Sequence, residues 1–221
     1  MSTVGYTGRV TPGGPTDVRG LRRATIRKMA VSEMSNNVYL VTCTATGEQL
    51  LVDAADDPER CLALVAEGSG RLDHLVTTHQ HWDHHRALAA VAAATGATTY
   101  AGADDADGLP VPPDVRLHHG DVVTVGELEL DVIHLRGHTP GSVALSWADP
   151  DGTTHLFTGD ALFPGGPGRA IGPDHTTLMD DLEERVFGVL PDDTWFYPGH
   201  GDDSTLGAER PSLAEWRERG W

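Results

Sequence analysis

Short apolar runs separated by turn-forming residues dominate the first quarter of the chain. TIRKMAVS (25–32), NVYLVTC (37–43) and QLLVDA (49–54) are rich in aliphatic and β-branched residues and are parted by SN and ATGE, which predicts a meander of strands. PERCLALVAEG (58–68) has a different character. It starts with a proline after two aspartates and ends at a glycine, the punctuation of a helix. LDHLVTT (72–78) predicts a buried strand, HHRALAAVAAATG (84–96) a helix closed by glycine, and ATTYAG (97–102) another strand. The proline-rich ADDADGLPVPPD (103–114) can only be a surface loop. Beyond it, DVVTVGELELDVIHL (121–135), SVALSW (142–147) and THLFTGD (154–160) alternate or run apolar as strands. TTLMDDLEERVFGVLP (176–191) predicts an amphipathic helix, TWFYPGH (194–200) a last strand and SLAEWRERGW (212–221) a terminal helix. Residues 1–20, rich in Gly, Pro and Thr and without period, are expected to be a flexible arm. Strands mixed with helices and no internal linker place 21–221 in one α/β domain.

Composition narrows the partners. The formal charge is −17 and the pI near 4.9, which argues against nucleic-acid backbone and anionic membrane surfaces. No apolar run approaches the ~18 residues of a membrane span, and the amino terminus lacks a signal-peptide layout. The expected location is the cytoplasm, as a monomer or homodimer. Cys43 and Cys61 are spaced neither as a redox pair nor as a zinc ribbon. A single lysine against fifteen arginines, with two asparagines and three isoleucines, points to a GC-rich genome.

The candidate chemistry lies in THQHWDHH (78–85). His79 and His81, two apart at a strand end, point to the same side, and Asp83 and His84 follow where the next helix is expected to begin. Imidazole and carboxylate are the usual ligands of a divalent metal, but a catalytic zinc keeps a position open for water. Four such side chains in one loop exceed the need of one ion, which suggests two. Three further candidates share one local form, an apolar strand, a tight glycine turn and a potential ligand: His138 in LRGHTPGS, Asp160 in FTGDALF and His200 in FYPGHG.

With these residues in order, the chain resembles the metallo-β-lactamase superfamily, marked by HxHxDH and a later His, Asp and His. The resemblance covers about residues 25–205 and implies a four-layer αββα sandwich with the site at one edge between two sheets. It implies that His79, His81 and His138 hold one metal and Asp83, His84 and His200 the other, with Asp160 bridging. The cofactors implied are two divalent ions, zinc first, with iron or manganese as alternatives. Asp53 in LLVDA matches an aspartate that supports the ligand loops. The flanks THQHWDH, GHTPGS, FTGDALFPGGPGR and PGHG are most similar to glyoxalase II, a thioester hydrolase. Only about twenty residues follow His200, so the glutathione-gripping helical domain of that group is expected to be missing, and a different thiol such as mycothiol comes into view.

Arg169, after the GGPG turn, matches a basic substrate-binding position, whereas Ile171 replaces the aromatic residue expected two positions on. The activity implied is hydrolysis of a small anionic thioester or acyl compound by a metal-activated hydroxide, with Asp83 and Asp160 as the catalytic carboxylates. Two dications outweigh those two aspartates, so an acidic protein can hold a positive pocket for the oxyanion. Two alternatives use the same residues: a persulfide dioxygenase with one iron on His79, His138 and Asp160, and a lactonase or β-lactamase. The other histidines are expected to be surface or hydrogen-bonded residues, with His85 and His175 the nearest to the predicted site.

Overall fold

In the computed structural model, which describes residues 5–220, the strands of one sheet follow chain order: β1 (Asp17–Gly20), β2 (Ala24–Val31), β3 (Asn36–Cys43), β4 (Gln49–Val52), β5 (His74–Thr77), β6 (Thr98–Gly102) and β7 (Val115–Leu117). The first four are antiparallel and the last four parallel. Parallel strands need crossovers, and helices α1 (Pro58–Glu67) and α2 (Leu88–Thr95) supply two of them. The signals read for α1 act as expected. Asp57 accepts a hydrogen bond from the Arg60 amide at 3.2 Å, Pro58 opens the first turn and Gly68 closes the last.

The second sheet starts as a meander of β8 (Val122–Val125), β9 (Leu128–His134), β10 (Val143–Ala148) and β11 (Thr154–Gly159). A small hairpin, β12 (Leu162–Phe163) and β13 (Gly166–Pro167), and helix α3 (Pro173–Leu182) lead to β14 (Trp195–Pro198), which adds parallel to β11, and then to β15 (Ser204–Thr205). Short helices α4 (Leu206–Glu209) and α5 (Leu213–Arg219) finish the chain.

Strand alternation assigns each side chain to a layer. Tyr39, Val41 and Cys43 of β3, with Leu50 and Val52 of β4, face the second sheet and meet Leu145, Trp147, Phe157 and Tyr197. Val38, Leu40 and Leu51 face outward, where Cys61, Leu64 and Val65 of α1 and Leu88 and Val91 of α2 cover them. On the far side, Ala144, Leu156 and Phe196 pack under Leu178, Met179 and Leu182 of α3 and Trp216 of α5. Three apolar layers separate four structural ones, giving the αββα sandwich. No helix among the described residues is long and apolar enough to cross a membrane.

The structure departs from expectation at four places. Residues 5–20, expected to be a flexible arm, lie against the sandwich: β1 pairs with β2, Pro12 bridges to Ala30, and the Tyr6 hydroxyl donates to Asp203 at 2.6 Å. Residues 1–4 of that expected arm, and Trp221, lie outside the described residues. The helix expected over 84–96 begins only at Leu88. Trp82–His84 form a separate 3-10 turn, and His85 (φ −143°) breaks the helical path. The helix expected over 176–191 begins at Pro173 and passes into a wide π turn at Glu183–Phe187. β7 lies beyond the proline-rich loop and was not anticipated, since three residues are too few to show a period.

Candidate metal centre

Five chain reversals meet at one edge of the sandwich. Asp53 follows β4, the 79–84 loop follows β5, His138 lies between β9 and β10, Asp160 follows β11 and His200 follows β14. Parallel strands end on the same side, so this topology delivers side chains far apart in sequence to one place. Main-chain bonds tie the loops together: Asn37 N donates to Gly199 O at 2.7 Å, Gly199 N to Gly159 O at 2.8 Å and Val143 N to Thr78 O at 2.9 Å. Close approach requires glycine at position 199, because a Cβ there would lie 2.0 Å from Asp160 Oδ1 and 2.7 Å from His84 Cε1.

All seven ligand candidates converge. The ligand atoms of His79, His81 and His138 lie within 4.8 Å of one another, as do those of Asp83, His84 and His200 and those of His79, His84 and Asp160. Asp160 stands between the two sets, with Oδ1 3.2 Å from His84 Nε2 and Oδ2 3.7 Å from His138 Nε2 and 3.5 Å from His200 Nε2. Asp83 Oδ2 is 3.3 Å from His200 Nε2.

The imidazoles are oriented from behind. His84 Nδ1 donates to Asp53 Oδ2 at 2.9 Å, His138 Nδ1 to Arg169 O at 3.1 Å and His200 Nδ1 to Met34 O at 2.9 Å. His79 Nδ1 lies 3.0 Å from Thr78 Oγ1, whose own proton goes to Asp53 Oδ2 at 2.8 Å. Each partner is an acceptor, so each ring is assigned a proton on Nδ1 and turns Nε2 toward the centre. Asp53 holds a left-handed backbone (φ 58°) and also accepts from Thr78 N at 2.7 Å. It is the brace behind both His79 and His84.

The donor set fits a divalent metal. His79 Nε2 and His138 Nε2 are buried without a hydrogen-bond partner among the described residues, a costly state for an imidazole nitrogen that nothing ligates. With only the protein's own charges present, burial holds His79 well below its ordinary pKa and lowers His138 as well. Burial alone would raise Asp160, but His84 and His200 hold it well below the carboxylate range. Asp83 is likewise lowered against burial, by the Asn36 amide and His84. Neutral imidazoles and ionised carboxylates are the forms that bind metal. His84 and His200 differ: burial would lower both, but Asp160 and Asp53 lift His84 to about 10, and Asp160 with the Met34 carbonyl raises His200, so a cation there must displace protons.

The Arg169 carbonyl orients His138, and the residue itself is exposed. Beside it, a cavity of about 390 Å³ lined by Asp104, Arg136, His138, Thr139 and Asp174 opens next to His138. His85 and His175 stand outside the centre, each bonded to a backbone carbonyl, of Gln80 and Trp216 respectively. Sequence reasoning missed Asn36, Thr78 and Asn37. Asn36 donates to Asp83 Oδ2 at 2.9 Å, and Asn37 donates to Pro198 O and Gly201 O, both at 2.9 Å.

Comparison with known proteins agrees with this architecture. A hydroxyacylglutathione hydrolase of Cereibacter sphaeroides is 36% identical over 165 residues, covering 75% of this chain and 62% of its own length. The chain thus spans less than two thirds of that curated relative. ETHE1 from Myxococcus xanthus is 32% identical with a TM-score of 0.76, over 87% of this chain and 84% of that one. TTHA1623, solved in a di-iron-bound form, is 32% identical with a TM-score of 0.69, over 83% of this chain and 96% of that one. Residues 31–200 match the family model described as the metallo-beta-lactamase superfamily, and with the HxHxDH loop and its downstream partners at one sandwich edge, the chain belongs to that superfamily.

Proposed function

We propose that the centre holds two divalent cations, one on His79, His81 and His138 and one on Asp83, His84 and His200, with Asp160 shared, and that the chain hydrolyses a small anionic thioester or related acyl compound. The observation that carries this is the convergence of two ligand sets around one carboxylate, with buried imidazole nitrogens aimed inward. Two bound cations supply a water that ionises near neutral pH and a Lewis acid for the carbonyl oxygen. The remaining chemistry belongs to the chain. Asp53, Thr78, Met34 O and Arg169 O fix the imidazole tautomers, so the site is preorganised. Asp83, kept ionised by Asn36 and His84, is placed to orient the attacking water and take up its proton. A thiolate leaves readily, so little general-acid help is needed. The guanidinium of the exposed Arg169 is the group we assign to an anionic substrate.

The thioester class rests on similarity to hydroxyacylglutathione hydrolases, and the identity of the thiol stays with the test. A second reading, one iron on His79, His138 and Asp160 with a persulfide as substrate, draws on the same ligands; iron is also the metal in the similar protein TTHA1623, although as a pair of ions. Elemental mass spectrometry on protein purified without added metal separates the two. Close to two zinc ions per chain, with turnover of a thioester panel lost in His81→Ala and Asp160→Ala, is the expected result. One iron per chain, or activity retained in both variants, would overturn the hydrolase.

A further inference from the structure

The only lysine of the chain is fully buried. Lys28 Nζ donates to Gly8 O at 2.7 Å, to Gly201 O at 2.7 Å and to Asp203 Oδ1 at 2.6 Å, which uses all three ammonium protons. Asp203 Oδ2 accepts from the Tyr6 hydroxyl at 2.6 Å and Trp195 Nε1 at 2.9 Å, and its amide donates to Gly8 O at 3.3 Å. Thus residues 6–8 of the amino-terminal segment, strand β2 and the turn after β14 are joined in one network. That turn carries His200. Asn37 holds the same turn from the other side through Pro198 O and Gly201 O.

We propose that residues 6–8 and the Lys28–Asp203 pair act as a strap that positions His200, and through it sets the affinity of the Asp83–His84–His200 metal position separately from the other. The inference rests on the two-metal reading above. A fully buried ion pair is a poor device for stability, because apolar residues of like volume often serve as well once desolvation is counted. Its contribution here is directional, since two of the three lysine bonds and the Asn37 bonds end on main-chain carbonyls or the carboxylate of residues 198–203. The His79, His81 and His138 set has another clamp. Buried Asp105 accepts from Gln80 N at 3.0 Å, from Thr139 Oγ1 at 2.6 Å and from Gly141 N at 2.7 Å, tying the 79–84 loop to the His138 turn. The two clamps share no residue, so the strap can be loosened while the Asp105 clamp stays in place. Gly8 offers a mild way to disturb the strap. It has φ +73°, and a Cβ there would sit 2.8 Å from Asp203 Cβ.

The test is a zinc titration of the full-length metal-stripped chain against a chromophoric chelator, for wild type, Gly8→Ala, Lys28→Met, Asp203→Asn and the double variant Lys28→Met/Asp203→Leu. The melting temperature of each metal-free variant is measured alongside. The wild type is expected to bind two equivalents. The variants should keep one within about threefold of wild type and lose about 10- to 100-fold on the other, the range found when groups behind metal ligands are removed. The double variant should regain metal-free stability without regaining the weakened equivalent, which a merely structural role would not produce. Two equivalents at wild-type affinity in every variant, or equal weakening of both, would overturn the strap. A wild type that binds one equivalent would instead overturn the two-metal reading itself.

Discussion

His155 shows how a single buried side chain couples this fold to pH. It stacks on Trp147, shares a 2.9 Å hydrogen bond with the Tyr197 hydroxyl and has no access to solvent. Burial, with Arg19 adding to it, lowers its pKa from 6.5 to about 4. The folded state therefore favours neutral imidazole, and the unfolded chain takes a proton first as pH falls. Stability from this residue is complete above pH 6.5 and is lost between there and about 4. At ~1.4 kcal/mol per pH unit, the loss is on the order of 3 kcal/mol. His155→Gln should flatten that part of the profile in urea unfolding at pH 7 to 4, relative to wild type; parallel profiles would refute the assignment. At the same scale, rare residues mark the structure. Asn36 and Asn37 are the only asparagines and Lys28 the only lysine, and all three are buried against the ligand loops. Their scarcity was visible in the sequence, but their partners lie up to 175 positions away, at Asp203, and local pattern carries no such information.

Elements were most legible where burial is one-sided or complete over several residues. β3, β4, β10 and β11 follow their apolar runs closely, and α1 follows its punctuation. β1 (DVRG) alternates half-buried and exposed positions and has no apolar face to announce it, so pairing with β2 decides its state. The alanine-rich run after His85 masked a break: Asp83 and His84 must turn into the centre, and the 3-10 turn that aims them delays α2 to Leu88. The seven ligand candidates were all legible because each follows an apolar strand through a turn, whereas the backbone acceptors Met34 O and Arg169 O have no side-chain signature. Turn geometry gives a sharp prediction. Gly199 closes the gap between the Asp160 and His84 turns. Gly199→Ala must push one of these side chains aside, so we expect a soluble, folded protein with turnover reduced at least 100-fold, the order expected when a ~1 Å displacement disturbs a preorganised site. Near-normal rates with a folded far-ultraviolet spectrum would show that the loops do not depend on this approach.

For the whole molecule, the centre sets a balance between stability and charge. Asp53, Asp83 and Asp160 gather at one edge of a protein whose formal charge is already −17, where without metal only His84, His200 and the surrounding fold offset their repulsion. Cations bound to the folded state but not the unfolded one add stability by mass action, about 2.7 kcal/mol per site at a free concentration a hundredfold above Kd. For a chain of this size, ~2–4 °C per kcal/mol translates this into a melting-temperature gain of roughly 5–10 °C per site. Removal of metal by chelation, verified by mass spectrometry, should therefore lower the transition by roughly 10–20 °C if both positions are filled. Stoichiometric zinc at fixed 0.15 M salt should restore it, whereas a matched increase in sodium chloride should not, because general screening acts over the whole surface while Asp53, Asp83 and Asp160 are buried. Recovery by salt alone would attribute the effect to net charge, and no shift on verified metal loss would mean that the sandwich positions these carboxylates without help from any cation.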